Sequence, residues 1–267
     1  MLQSEPWKGR VEPFCIFGNL YFAGTEPASC HLIDTHDGLI LIDTGYPQSA
    51  YLVIESIWEL GFRPADVRFI VHSHGHYDHM GATRALVELT HAKTFIGAPD
   101  ATYVTGPTDL NWAVEDGYNF TEFFTPDVLL HDGDIVELGN TRIRCLSTPG
   151  HTPGTMSFFF DVEEQGRVLR AGMHGGVGMN TLSSDYIQRR GLPLSLQQQF
   201  LDGLDRLSQE HVDIFIGNHV GNNDTVGKGE ALRRNPAVNP FIDENAWPLF
   251  LERCRANAQA CFGPKGA

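Results

Sequence analysis

Residues 66–79 run Asp66-Val-Arg-Phe-Ile-Val-His72-Ser-His74-Gly-His76-Tyr-Asp78-His79, an apolar segment that ends in a cluster of imidazoles and a carboxylate. The apolar run up to His72 predicts a strand, Ser73 to His79 a loop, and Met80 to Leu89 a helix. Three imidazoles and a carboxylate within residues 74–79 are costly to bury unless every polar ring finds a partner. Metal ligation supplies such partners. Alternate residues such as His74 and His76 can face one ion while the adjacent pair Asp78 and His79 turns toward another. One short loop at the end of a strand can therefore serve two ions.

Two further segments repeat the design. Thr148-Pro-Gly-His151-Thr-Pro-Gly154 sets a histidine in a rigid turn after the strand-like run Thr141 to Leu146, and Ile214-Phe-Ile-Gly-Asn-His219-Val-Gly221 delivers another from an apolar strand into a glycine-flanked loop. Alone, each reads as an ordinary loop histidine; with residues 74–79 they form a constellation. His-x-His-x-Asp-His, then Gly-His-Thr-Pro-Gly, then a late strand-to-histidine loop resembles the metallo-β-lactamase superfamily over nearly the whole chain. Asp37-Gly-Leu-Ile-Leu-Ile-Asp43-Thr-Gly45 is similar to that family's early hairpin strand, which ends in a buried, metal-supporting aspartate. Tyr21-Phe-Ala-Gly-Thr25, the Gly45-Tyr-Pro-Gln turn and the last ligand loop resemble most the third subclass (B3) of zinc β-lactamases.

The resemblance implies an α+β fold, the αβ/βα sandwich of two mixed β-sheets flanked by helices, as a single domain over 1–267. It implies one zinc held by His74, His76 and His151, a second held by Asp78, His79 and His219, and Asp43 supporting the ligand loop. Zinc accepts imidazole nitrogen and carboxylate oxygen at about 2.0 to 2.2 Å, and a pair of ions roughly 3.5 to 4 Å apart can acidify a water and clamp attacking and departing atoms. The expected activity is opening of a cyclic amide of the β-lactam kind by a metal-bridging hydroxide, with Asp78 as a catalytic residue that orients the nucleophile. That activity would confer antibiotic resistance. Iron, manganese or cobalt could occupy similar ligands.

One segment departs from many relatives in the superfamily. Lactonases, thioesterases and phosphodiesterases place a bridging aspartate after a strand that follows the Gly-His-Thr-Pro-Gly turn, and the first two β-lactamase subclasses use a cysteine nearby. Val168-Leu-Arg-Ala-Gly172-Met173-His174-Gly-Gly176 has neither, which favours the third subclass by exclusion. A metal-dependent lactonase or other ester or thioester hydrolase is the alternative activity. His174 is open between an extra ligand, a donor behind a ligand, a substrate contact and a solvated loop residue.

Substrate preference must come from loops. Residues 98–126, expected to be irregular, carry Tyr103, Trp112, Tyr118, Phe120, Phe123 and Phe124, rings that can form a binding wall or anchor the loop. A second wall over 175–191 offers Asn180, Ser183, Ser184 and Tyr186, with Arg189 and Arg190 as charges for a substrate carboxylate. Trp112, Tyr118, His174, Tyr186 and Asn222 are the substrate-binding candidates, and Asn223 is a further amide that could orient a carbonyl.

With 267 residues and 42% hydrophobic content the chain can bury one large core. A net charge of -14 argues against nucleic acid and leaves small molecules as partners. The five cysteines are an odd number without ligand spacing, so a complete disulfide framework is excluded and a reducing compartment favoured. The N-terminal residues lack a basic and then apolar leader, and no run is long enough to span a membrane, so the chain as given reads as cytoplasmic; a periplasmic or secreted location follows if a leader has been removed. Elsewhere the pattern predicts strands within 14–42 turning at Asp37-Gly38, and at 93–97, 128–137, 141–146, 155–160, 167–171 and 212–217. Helices are expected at 49–60, 195–208 and 245–261, the last capped by Asn245 with Pro248 in its first turn.

Overall fold

The computed structural model describes residues 4–262, so the two ends of the expected 1–267 domain lie outside the described residues. Seven strands form one sheet in sequential order: β1 Phe14–Phe17, β2 Leu20–Phe22, β3 His31–Asp34, β4 Leu39–Ile42, β5 Val67–Val71, β6 Lys93–Gly97 and β7 Val128–Leu130. Its first half is an antiparallel meander and β4 to β7 are parallel. The second sheet takes β8 Ile135–Leu138, β9 Thr141–Ser147, β10 Met156–Glu164, β11 Arg167–Met173 and β12 Ile214–Phe215, antiparallel except for the β11–β12 pair.

The helices are α1 Ala50–Glu59, α2 Tyr77–Met80, α3 Thr83–Thr90, α4 Ala101–Val104, α5 Ser184–Arg189, α6 Ser195–Leu207, α7 Thr225–Arg234 and α8 Ala246–Phe262. Four layers result. Phe22, Ile33, Ile40 and Val71 of the first sheet meet Phe158, Phe160, Ala171 and Ile214 of the second in the central core. The outer face of the first sheet, through Leu32, Leu41 and Ile70, packs on Val53 and Ile57 of α1 and Leu86 of α3. The outer face of the second, through Leu146, Phe159 and Phe215, packs on Phe200 of α6 and Trp247 of α8. Both faces of β4 are covered, so Leu39–Ile42 is buried throughout instead of alternating. These two mixed sheets between helices are the expected sandwich.

Several local expectations need correction. The single strand expected over 128–137 is two strands in different sheets, because Gly133 takes φ +84° and the Asp134 carboxylate accepts the His131 N–H, closing a turn between them. Asp78 and His79 lie in the one-turn helix α2, not in open loop, and the helix expected from Met80 starts again at Thr83. Residues 98–126 begin with helical turns through Val104, and α5 and α7 were not expected. The five cysteines are free. Among the described residues, no helix is long and apolar enough to cross a membrane.

Candidate active site

The parallel strands β4 and β5 end side by side, and so do β11 and β12. The chain leaving each strand turns over the same edge of the sandwich. Loop 72–79 follows β5, the His151 turn links β9 to β10, and His219 follows β12. Sequence-distant histidines therefore converge.

His74 Nε2 lies 3.1 Å from His76 Nδ1, and the donor atoms of His74, His76 and His151 fall within 4.8 Å of one another, as do those of His74, Asp78 and His79. His79 Nε2 is 3.1 Å from His219 Nε2, and Asp78 Oδ2 is 3.3 and 3.6 Å from these two nitrogens. A tetrahedral cation with bonds of about 2.0–2.1 Å has ligand atoms roughly 3.3 Å apart, so this spacing fits such an ion.

In four of the five rings the outward nitrogen is committed, which fixes which atom faces the cluster; the outward Nε2 of His76 is buried with no hydrogen-bond partner among the described residues. His74 Nδ1 donates to the Gly175 carbonyl (2.8 Å), His151 Nδ1 to Gly178 (2.9 Å), His219 Nδ1 to Pro27, and His79 Nδ1 to the Asp43 carboxylate (2.9 Å). Carbonyl or carboxylate partners of this kind orient ligating imidazoles and leave the other nitrogen unprotonated. Burial keeps the rings neutral, as ligation requires: it holds His74 and His76 well below their ordinary pKa, His151 at about 4, and also lowers His219. At His79 burial likewise disfavours charge, but Asp78 and Asp43 outweigh it and raise the pKa to about 10. Burial opposes ionisation of Asp78, yet His79 and His219 hold its carboxyl well below the usual range. The site thus fits cations by donor set and spacing, and by protonation state at every ring except His79, which must release a proton for its Nε2 to ligate.

Asp43 sits just beyond β4 in a left-handed conformation (φ +59°), accepting from Ser73 N (2.7 Å) and Ser73 Oγ (2.6 Å) besides His79. A carboxylate that the sequence reading missed, Asp100, joins the two ligand loops: it accepts from Gly75 N (2.8 Å), Thr152 Oγ1 (2.6 Å) and Gly154 N (2.7 Å), and burial raises its pKa to about 6. Its donors lie 25 to 54 residues away, so no local pattern signals it. His72, by contrast, is spent on Phe95 O and Thr83 Oγ1 in the core.

Residues 23–172 match the family model of the metallo-beta-lactamase superfamily. This chain belongs to that superfamily. Its structural neighbours are subclass B3 enzymes and their kin. The FEZ-1 metallo-beta-lactamase from Legionella gormanii superposes with a TM-score of 0.85 at 28% identity, covering 94% of this chain and 95% of that one. BJP-1, a subclass B3 enzyme of Bradyrhizobium japonicum, gives 0.86 at 25%, covering 97% and 96%. LRA-12, a class B3 di-zinc metallo-beta-lactamase from an Alaskan soil metagenome, gives 0.82 at 27%, covering 96% of each. Among curated relatives, the probable metallo-hydrolase YflN of Bacillus subtilis (strain 168) is 32% identical over 50% of this chain and 54% of its own length. An N-acyl homoserine lactonase of Bacillus thuringiensis is 27% identical over 54% of this chain and 62% of its own length. The matched part of the chain thus spans between half and two thirds of these two proteins. The superfamily's hydrolase chemistry accounts for a histidine cluster at a strand-end edge.

Of the substrate candidates, Trp112 and Asn222 line the cleft over the cluster, about 330 Å³ in volume, together with Tyr46, Asp116, Asn180 and Asn218. Tyr46 and Asp116 also line an adjoining cavity of about 610 Å³. The others lie elsewhere. Tyr118 stacks on Tyr77, and Tyr186 is buried behind Trp112, with ring centroids 5.3 Å apart. His174 is buried against Phe200 and Phe250, so the solvated reading fails. Asn223 turns away from the cleft to Phe215 O and Thr225. Arg190 is held by Asp109 and Glu115, which ties the two loop walls together, and Arg189 pairs with Asp185 on the surface.

Proposed function

We propose that this chain is a dinuclear zinc hydrolase that opens a cyclic amide of the β-lactam kind, with His74, His76 and His151 holding one cation and Asp78, His79 and His219 the other. The observation that carries the reading is the 3.1–3.6 Å spacing of inward-facing donors in His74, His76, Asp78, His79 and His219, with His151 within 4.8 Å of its pair and the outer nitrogens of His74, His79, His151 and His219 already committed. Bound there, two divalent cations would acidify a water and offset the charge that grows on a carbonyl oxygen and a leaving nitrogen.

The chain's own groups do the positioning. Asp43 keeps the ring proton of His79 on Nδ1, and the Gly175 and Gly178 carbonyls do the same for His74 and His151. Asp78, at the cleft wall with Oδ2 turned to His79 and His219, has its other oxygen to orient an attacking water. Trp112, braced by Tyr186, gives an apolar wall that shields one side of the reacting carbonyl from bulk water. Asn222, tied to Asn218 through one N–H, can direct its second N–H to a substrate carbonyl.

Lactam opening is preferred over lactone opening on two grounds. The segment after β11 supplies no carboxylate to the cluster, its histidine being turned into the core. The β-lactamase structures also superpose over nearly the whole chain at 25–28% identity. The lactonase relatives favour the second reading, a metal-dependent lactonase or ester hydrolase on the same residues. Hydrolysis of a chromogenic cephalosporin, before and after chelation and with metal content measured on the same sample, separates them. Turnover lost on chelation and restored by zinc supports the lactam reading. Two bound metals without lactam turnover overturn it and move the assignment to lactones and esters.

A further inference from the structure

We propose that His174 is a positioning residue that sets the carbonyls behind His74 and His151, and so governs how tightly that triad holds its cation; this rests on the metal reading above. His174 directly follows β11, at the point where the chain must turn away from the sheet. Its Nδ1 accepts the N–H of Gly176 at 3.2 Å, two residues on. This is the ring closed by an asparagine oxygen in an Asx turn, with imidazole nitrogen in its place. An accepting Nδ1 puts the proton on Nε2, which is buried with no hydrogen-bond partner among the described residues. Burial also pushes the pKa down to about 3, so the ring stays neutral and remains an acceptor.

The turn so formed has little slack. Gly175 O receives His74 Nδ1 and Asn218 Nδ2, both at 2.8 Å, and Gly178 O receives His151 Nδ1 at 2.9 Å. A Cβ on Gly175 would lie 2.0 Å from Met156 O. One on Gly176 would lie 2.7 Å from His151 Cδ2, and one on Gly178 2.6 Å from His151 Cε1. A rotation of the 174–176 peptides therefore moves the acceptor of His74 directly, and reaches His151 through Gly176, which packs on its ring, and the following residues up to Gly178 O. The other triad draws its support elsewhere, from Asp43 and Pro27. The effect of His174 thus falls chiefly on one triad, the other being reached only through Asn218, the residue before His219.

The test compares His174→Asn, whose side-chain oxygen can take the place of Nδ1, with His174→Gln and His174→Leu, which cannot close the turn. Zinc affinities of the full chain are measured by competition with a chromogenic chelator. Wild type and His174→Asn are expected to bind both equivalents alike, while the Leu and Gln variants lose about 10- to 100-fold on one equivalent and keep the other. In a His219→Ala background, which leaves the His74/His76/His151 triad complete, the weakened equivalent is the one that remains.

A metal-free readout runs alongside: slow-exchanging imidazole N–H proton resonances of His74 and His151 are expected in wild type and His174→Asn and lost in His174→Leu. Equal loss at both equivalents, unchanged zinc affinity and N–H signals in His174→Leu, or failure of His174→Asn to rescue would overturn the proposal. Should the wild-type chain hold no zinc, the metal reading falls, and the imidazole signals still decide whether His174 sets those carbonyls.

Discussion

Replacing Asp43 by asparagine tests how the second triad is held. The carboxylate is 1% exposed and accepts three hydrogen bonds: Ser73 N on Oδ1, and Ser73 Oγ and His79 Nδ1 on Oδ2. Asparagine tolerates the left-handed backbone at φ +59° and keeps the Ser73 N–H bond, but it turns an NH2 group toward His79. Two donors cannot face each other, so the His79 proton must shift to Nε2, the atom that faces Asp78 and His219. The ring is then in the wrong tautomer to ligate, as with an asparagine placed behind a catalytic histidine. Losing one charge-assisted bond costs about 2 kcal/mol of stability. Asp43→Ala strands all three donors at about 1–2 kcal/mol each and adds about 1 kcal/mol of backbone strain, about 4–7 kcal/mol together. Urea unfolding and metal retention on dialysis against a chelator read the two effects separately. Asp43→Asn is expected to unfold at only slightly lower urea yet to lose about 10- to 100-fold in affinity for one zinc equivalent. Full retention of both equivalents at wild-type affinity would refute the tautomer argument.

Two further perturbations probe the frame around the site. A Cβ on Gly97, at the end of β6, would lie 2.0 Å from the Gly154 carbonyl, so Gly97→Ala must push the turn carrying His151; a stability loss of about 2–3 kcal/mol with weakened metal retention is expected, and a urea midpoint equal to wild type would show that the approach is not close. His31 is buried with Nε2 on Gly217 O, and burial holds its pKa at about 4. Between that value and the unfolded value near 6.5 the unfolded chain binds the extra proton, so the stability from His31 is complete above pH 6.5 and is lost as pH falls toward 4. The difference in metal-free unfolding free energy between wild type and His31→Gln should shrink by about 3 kcal/mol over that window, and a constant difference would contradict it.

The histidine cluster was legible because its information is local: each ligand candidate sits within a few residues of a strand end, and strand ends on one edge converge. Supports acting across long sequence separations were not. Asp43 could be picked out only through resemblance, and Asp100 left no mark in Ala98-Pro99-Asp100, because its donors belong to two other loops. Aromatic residues over 98–126 misled for a related reason. A ring in a loop serves equally as wall or anchor, and only the packing of Tyr77 and Tyr103 beneath it sends Tyr118 to the anchor and Trp112 to the wall. The Asp132-Gly133 turn was a local signal outweighed by the apolar residues on either side of it.

The distribution of these supports bears on how metal binding and folding are coupled. His74 and His76 come from the first sheet's half of the chain and His151 from the second, so their triad exists only when the halves dock. The seam beside it is built from the same loops: Met156 N donates to Ser73 O (2.8 Å), Asp100 bridges Gly75 to Thr152 and Gly154, and His74 reaches across to Gly175. Asp78 and His79 share a helical turn, and their partner His219 again comes from the other half. Each proposed cation would therefore cross-link the two halves at the edge of the sandwich, over the cleft. An ion bound a thousandfold below its free concentration would add about 4 kcal/mol to the docked state. By the same linkage, any change that loosens the packing of the two sheets lowers metal affinity, even where no ligand is touched.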